Sequence, residues 1–427
     1  MTSAREPHSQ SPAADGRAGT TGIAGDTGRS GTELGRRGFL AAAGLAAAGA
    51  TWAVAGGSAG ASTTTRSAAG GTAPGLAAGT FSVPVDTVRH TRTWMAWPDD
   101  ASIWTGRSGG RRGGKVPSLS QIQGNIALIA NTVARYEPVY MMANPASAAA
   151  ARRACTAANI TVITSIPVND CWTRDTGPVF RTNGLGGLDC IGLNFNGWGG
   201  NQTYTNDGKV AARVAALLGL PFTAAAIVGE GGAVETDGAG TLMATKSSLL
   251  VSNRNRGMSQ ATAETALKNA YGASKVIWFA GVAGQDITGD HVDATSRFLE
   301  PGQALVQQPN ATDDPSDVWT KDEINQYNVL AAATDARGVR IQATKLGGPD
   351  YYSIRQSDPA FVGSYANYYV CNDAVIAAQF GDSRADAAAK SKLQSLFPGR
   401  TVVQLNIDYL GLGGGGIHCV TQQQPVP

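Results

Sequence analysis

Cysteine is scarce in this chain: five residues in 427, at positions 155, 171, 190, 371 and 419, none of them in a CxxC pair. So few and so scattered, they exclude a disulfide framework and zinc-finger chemistry, and their odd number leaves at least one free thiol unless a bridge forms between molecules. No GxGxxG follows an extended segment to open a helix and no Walker loop occurs, so a nucleotide cofactor has no visible cradle. The expectation is therefore no cofactor and no metal. An excess of charge is also missing. The first 61 residues hold five arginines and four acids, and beyond them 29 basic residues face 28 acidic ones, which makes no case for nucleic acid. Nothing in the composition assigns an oligomeric state. The basic run RSGGRRGGK (107–115) holds four glycines in nine residues and reads as a solvated loop.

What is present is 42% hydrophobic and 15% charged residues, the balance of a globular chain with a sizeable core. The first eighty residues follow a different regime, rich in Ala, Gly, Ser and Thr. There GRRGFL (35–40) sets paired arginines ahead of an apolar run from Phe39 to Ala55 that ends in small residues. A run of about 17 residues rich in Ala and Gly is at the short end of what crosses a bilayer, and the pattern reads as a twin-arginine export signal over 1–61. It implies a translocase as partner and an exported, extracellular or cell-envelope protein, with 62–80 as a flexible linker and 81–427 as the catalytic domain.

From about residue 81, extended and helical patterns alternate: a helix near 118–136, strands at 138–143 and 160–166 around an Ala-rich helix near 145–157. Paired extended stretches at 178–182 and 189–195 precede a helix at 207–218. Those at 232–236 and 240–244 precede a helix at 260–271 and a strand at 275–279. The order recurs with 292–299, 303–307, a helix near 316–337 and 339–345, then with YYVCN, AVIAAQF, a helix at 383–396 and TVVQL (401–405). A hairpin, a helix and a strand recurring several times suit a cyclic α/β array better than one doubly wound sheet.

Chemistry concentrates in four segments. In GLGGGGIHCVTQQQP (411–425) five glycines lead into Ile417, His418 and Cys419. Such a run admits backbone conformations closed to other residues and often closes over a ligand, although alone it also suits a plain turn. A nucleophilic cysteine needs thiolate character and a partner that handles protons. Neighbours on an extended segment face opposite ways, which turns attention from His418 to TGDHVDATSRF (288–298), where His291 and Asp293 would share one face of a strand. In NDCWTRDTGPVF (169–180), Trp172 and Asp175 at the end of an extended segment suit a flat cation, through the ring face and a bidentate carboxylate. The bland alternative there is an ion pair of Arg174 with Asp170 or Asp175. VGEGGAVETDGAGT (228–241) adds Glu230, alternatively part of an acidic hairpin turn. Cys171-Trp172 resembles the Cys-Trp pair of papain-like proteases, but its flanks, PVND and TRDTGP, lack that pattern's upstream glycine and second cysteine.

MAWPDD (95–100), NDCWTRDTGP, LNFNGWGG, EGGAVETDGAGTL, NRNRG (253–257), DHVDATSRF and GGGGIHCVTQQQP occur in the order and rough spacing of the agmatine deiminases and their bacterial peptidylarginine deiminase relatives, over about 81–425. The resemblance implies a five-bladed α/β propeller, the pentein fold with pseudo-fivefold symmetry. It also implies a hydrolase that deiminates agmatine to N-carbamoylputrescine and ammonia through a Cys419 thiouronium. In it Cys419 matches the nucleophile, His291 the general acid/base, and Asp175 and Asp293 the carboxylates that clamp the guanidinium. Trp172, Glu230, Gly415 and Gly416 match substrate-binding positions. Two residues depart from the pattern: Cys171 stands where serine is common, and Gly289-Asp290 reverses the usual Asp-Gly, setting an extra carboxylate beside His291. The peptidylarginine branch carries arginines after its Trp motif, whereas NFNGWGGN (194–201) has none, which favours agmatine. The alternatives are a peptidylarginine or other guanidine deiminase, and a secreted protein that binds guanidinium or polyamine ligands without turnover.

Overall fold

The computed structural model describes residues 79–104 and 116–427. The proposed export signal, nearly all of the linker and the whole of the basic run at 107–115 lie outside these residues. Among the described residues sixteen strands form five mixed sheets. In the first, β1 (His90–Ala96) runs parallel to β2 (Val139–Met142), which runs parallel to β3 (Ile160–Ile163). The other four repeat one unit, an antiparallel hairpin, a helix and a strand returning parallel to the second hairpin strand. They comprise β4 (Val179–Thr182), β5 (Leu188–Gly192) and β6 (Phe222–Ala224); β7 (Val234–Thr236), β8 (Thr241–Thr245) and β9 (Lys275–Phe279); β10 (Ser296–Glu300), β11 (Gln303–Gln308) and β12 (Gln342–Gly347); and β13 (Tyr369–Val370), β14 (Ala374–Ala378) and β15 (Thr401–Leu405). The last strand, β16 (Gln422–Pro425), completes the first sheet by pairing antiparallel to β1.

The middle strands of the sheets are buried on both faces, because successive side chains of a strand enter different cores. Trp94 and Ala96 of β1 join Phe180 and Cys190 of the second sheet, while Met95 between them shares a core with Tyr369 and Ile376 of the fifth sheet. Val179 and Ile191 pack instead with Val234, Leu242 and Ala244 of the third sheet, and Met243 with Phe298, Ala304 and Val306 of the fourth. Each such side chain removed from water contributes about 1.5–3 kcal/mol. This is why middle strands such as TLMAT (β8) and AVIAA (β14) show no alternation of polar and apolar residues.

The helix termini follow side-chain chemistry. Ser118 and Gln121 form a capping box at the start of Leu119–Val133, Ser259 caps Gln260–Tyr271, and Asp382 caps Ser383–Leu396. Those last two helices and the strands at 275–279 and 401–405 match the sequence reading. The helix expected to reach 337 ends at Ala332, because Asp335 accepts from the backbone N–H groups of Arg337 and Val339 and builds a turn. β6 was not foreseen: it is short and exposed at a sheet edge, so no burial pattern marks it. No helix among the described residues is long and apolar enough to cross a membrane.

Candidate active site

The chemically interesting segments share one position in the fold, just ahead of the first strand of a hairpin or, for Cys419, ahead of β16. Asp175 precedes β4, Glu230 and Gly232 precede β7, His291 and Asp293 precede β10, Asn367 precedes β13. All but Gly232 and Asn367 were singled out by sequence.

Their local conformations differ from the extended ones expected. Thr173–Thr176 is a single helical turn that begins directly after Trp172. Val292–Ala294 and His418–Val420 are short 3-10 turns. Successive side chains of a 3-10 turn stand about 120° apart and not opposite each other as in a strand, so His418 is not turned away from the site. Its Nδ1 lies 2.7 Å from Asp293 Oδ2 and its Nε2 lies 3.0 Å from Asp86 Oδ2.

His291 sits between two carboxylates, with Nε2 3.2 Å from Glu230 Oε2 and Nδ1 3.7 Å from Asp175 Oδ1. Burial favours the neutral ring, but Asp175, Glu230 and Asp293 outweigh it and push the His291 pKa up to about 9. Glu230 is fully buried and accepts from Arg254 Nε at 2.7 Å. Asp175 accepts from the Trp198 indole at 2.9 Å and from the Gly232 backbone N–H at 3.1 Å. Burial raises its pKa to about 6 against the pull of His291. Asp293 stays below the usual carboxylate range in spite of burial, because His418, His291 and Arg297 favour its charged form. Its Oδ1 is buried without a hydrogen-bond partner, an arrangement costly unless a ligand supplies the donor.

Gly232 is where these groups meet. A β-carbon there would stand 2.7 Å from His291 Nδ1, 2.9 Å from Asp175 Oδ1 and 3.1 Å from Asp293 Oδ2, so only glycine leaves the space open. The glycines before Cys419 serve mainly the same end and not unusual dihedrals. Gly414 alone among them has positive φ, at 98°, whereas a β-carbon on Gly415 would strike Trp172 and one on Gly416 would strike Asn367. Cys419 Sγ lies 3.8 Å from Asp293 Oδ2 and 3.2 Å from Asn367 Nδ2. Burial, Asp293 and Asp175 push its thiol pKa well above the usual range.

Trp172 faces the glycine run, and its indole N–H is committed to Asp170 Oδ2 at 2.9 Å. Arg174 forms neither of the ion pairs weighed for it; its guanidinium donates to Gln423 Oε1 at 2.7 Å and to the His418 carbonyl at 3.4 Å. Cys171 is wholly buried in the core, with its thiol pushed far up by burial and Asp170, while Cys419 is the one partly exposed cysteine of the five. The extra carboxylate of Asp290 turns from His291 to accept from the Val282 backbone N–H at 3.0 Å. Asp290 occupies the left-handed region at φ 72°, which aspartate tolerates better than most residues.

The profile of the Porphyromonas-type peptidyl-arginine deiminases matches residues 82–425. The chain belongs to this family. A relative from Streptomyces coelicolor, provisionally named agmatine deiminase, is 35% identical over 352 residues, spanning 81% of this chain and 99% of the relative. The agmatine deiminase of Pseudomonas fluorescens is 33% identical over 369 residues, 81% of this chain and 96% of its own length. The solved structure of the Enterococcus faecalis agmatine deiminase superposes with a TM-score of 0.72 at 27% identity, covering 81% of this chain and 96% of that one.

In this member of the peptidyl-arginine deiminase family, the sequence reading missed Trp198, Gly232, Arg254, Asn367 and the role of His418. Trp198 stands in a glycine-rich loop at φ 53°, held there by the bond to Asp175 and an edge-on contact with Phe195. Arg254 lies within the NRNRG motif, but its partner Glu230 is 24 residues away.

Proposed function

We propose that the chain hydrolyses agmatine to N-carbamoylputrescine and ammonia, with Cys419 as nucleophile. One observation carries this reading: three carboxylates, Asp175, Glu230 and Asp293, gather around the His291 imidazolium, with the Arg254 guanidinium on Glu230 as the second cation and Asp293 3.8 Å from Cys419 Sγ. The surplus negative charge suits one guanidinium, and the unpartnered Asp293 Oδ1 supplies an acceptor for it.

The chemistry then runs in two halves. The bound cation offsets the carboxylates that keep Cys419 protonated, so the thiol loses its proton more readily with substrate present. The thiolate attacks the guanidinium carbon, His291 donates a proton to the departing nitrogen, and ammonia leaves as the C–N bond breaks. Water attacks the resulting thiouronium with neutral His291 as base, and the C–S bond breaks to free the ureido product and the thiol. The five sheets, linked in order by cores shared between successive sheets, fit a five-bladed propeller with this site on its axis.

For the substrate, the buried arginines Arg174, Arg254 and Arg297 are each committed to partners within the protein. Agmatine has no α-carboxylate in need of another. The matching family profile favours a second reading, a peptidyl-arginine whose carboxylate is in amide linkage. The test is ammonia and ureido-product formation by the purified mature chain with agmatine, arginine and a peptidyl-arginine. Fastest turnover of the peptide overturns agmatine but leaves the cysteine mechanism standing. We also propose that 1–61 directs twin-arginine export, a reading supported by Arg36 and Arg37 ahead of the apolar run. Normal export of the Arg36→Lys, Arg37→Lys variant would overturn it.

A further inference from the structure

Four of the five sheets send a reacting or clamping group into the site from the segment before a strand: Asp175, Glu230, the His291–Asp293 pair and Cys419. The segment before β13 is the fifth, and it sends Asn367, which is 2% exposed. We propose that Asn367 is a catalytic residue that aims the Cys419 sulfur and stabilises its thiolate by donating an N–H to it. The proposal rests on Cys419 being the nucleophile.

The orientation of the amide is fixed by its other contacts. Oδ1 lies 3.0 Å from the His418 backbone nitrogen and 3.4 Å from that of Cys419, both donors. Nδ2 lies 3.3 Å from the Asp293 carbonyl oxygen, an acceptor. Turning the amide over would set NH2 against two N–H groups and oxygen against oxygen, so Nδ2 is the nitrogen as placed. That nitrogen stands 3.2 Å from Cys419 Sγ, against 3.4 Å for Oδ1. With one hydrogen on the Asp293 carbonyl, the other is available to sulfur. Ser364 Oγ accepts from the Asn367 backbone N–H at 3.2 Å and donates to Ala294 O at 2.6 Å, which ties this segment to the one carrying His291 and Asp293.

The need for such a donor follows from the charges. Cys419 faces Asp293 and Asp175, and a sulfur among carboxylates requires a donor if it is to become an anion. Asn367 has no charge of its own, so it favours the thiolate without repelling a cationic substrate. Gly416 belongs to the same arrangement, since a β-carbon there would lie 2.9 Å from Asn367 Cγ and displace the amide.

The experiment compares parent, Asn367→Ala, Asn367→Asp and Cys419→Ser. Alkylation of Cys419 by iodoacetamide is followed against pH by peptide mass spectrometry, beside kcat and KM for agmatine. Asn367→Ala should lower kcat about 10²-fold, the effect of deleting one preorganised donor, with KM changed less than threefold and the alkylation midpoint moved to higher pH. Asn367→Asp should move it further, since an acceptor replaces the donor. An unchanged midpoint together with kcat within threefold in folded Asn367→Ala overturns the proposal. Should that variant not fold, Gly416→Ala carries the same test with Asn367 intact. Turnover by Cys419→Ser would instead overturn the nucleophile reading, so the two failures are distinguishable.

Discussion

Two buried charge networks lie back to back across Asp293 and His418, built from the same residue types and balanced differently. In the first, Asp175, Glu230 and Asp293 surround His291 and Arg254, with one negative charge in excess and an oxygen unpartnered. In the second, Arg297 is fully buried between Asp86 Oδ2 at 2.7 Å and Glu235 Oε1 at 2.8 Å, and it also donates to the carbonyls of Ala366 and Tyr368. Burial pushes the Glu235 pKa up to about 8 even beside Arg297, which leaves Asp86 and Arg297 as a balanced pair. The three groups Asp86, Glu235 and His418 approach closely enough to hold a cation, and the Arg297 guanidinium already supplies that charge. Fully matched charges build structure, and the unmatched ones mark where a ligand completes the set.

The sharpest break of this comparison is Cys419→Ser, expected to lower ureido-product formation by at least about 10³-fold with an unchanged melting temperature, because the first network shapes chemistry and not folding. A variant that melts early would show that the two networks are not separable. Arg297→Met should do the reverse. It leaves Asp86 and Glu235 facing each other and should cost roughly 3–5 kcal/mol of stability by denaturant titration, while the remaining folded fraction retains agmatine turnover within an order of magnitude. Gly232→Ala tests the space between the first network's groups. Its β-carbon would touch three of them, so kcat/KM should fall about 10²-fold with little change in the unfolding midpoint, and parent-like kinetics would mean that substrate does not occupy that space.

Smaller effects sharpen the contrast. Agmatine should exceed free arginine in kcat/KM by more than about tenfold, since a buried carboxylate without a partner costs more than the roughly 1.4 kcal/mol of one decade. The pH profile of kcat/KM should be bell-shaped. Below about pH 6 Asp175 takes up a proton and the proposed clamp should weaken, while above about pH 9 His291 loses the proton it is proposed to give to the leaving nitrogen. Glu230→Gln should bring the alkaline limb down, because Glu230 is among the charges that hold that proton; a limb unmoved by the change would assign it to another group.

Sequence alone determined a good deal. Turn and cap chemistry at Ser259 and Asp382, and apolar runs such as KVIWF and TVVQL, are local signals that survive any packing, so the recurring unit and most of its bounds were legible. So were Asp175, Glu230, His291, Asp293 and Cys419, because their segments carry unusual residue combinations. What tertiary structure alone decided was conformation and partnership. Thr173–Thr176 and Val292–Ala294 are turns and not strand ends, since each must leave one sheet and enter the site within a few residues. Arg254 with Glu230, Arg297 with Asp86 and Asn367 with Cys419 meet across 24, 211 and 52 residues. No periodicity records such separations. Asn367 in particular stands in a buried aromatic stretch, and only the placement of five sheets gives its amide a sulfur to face.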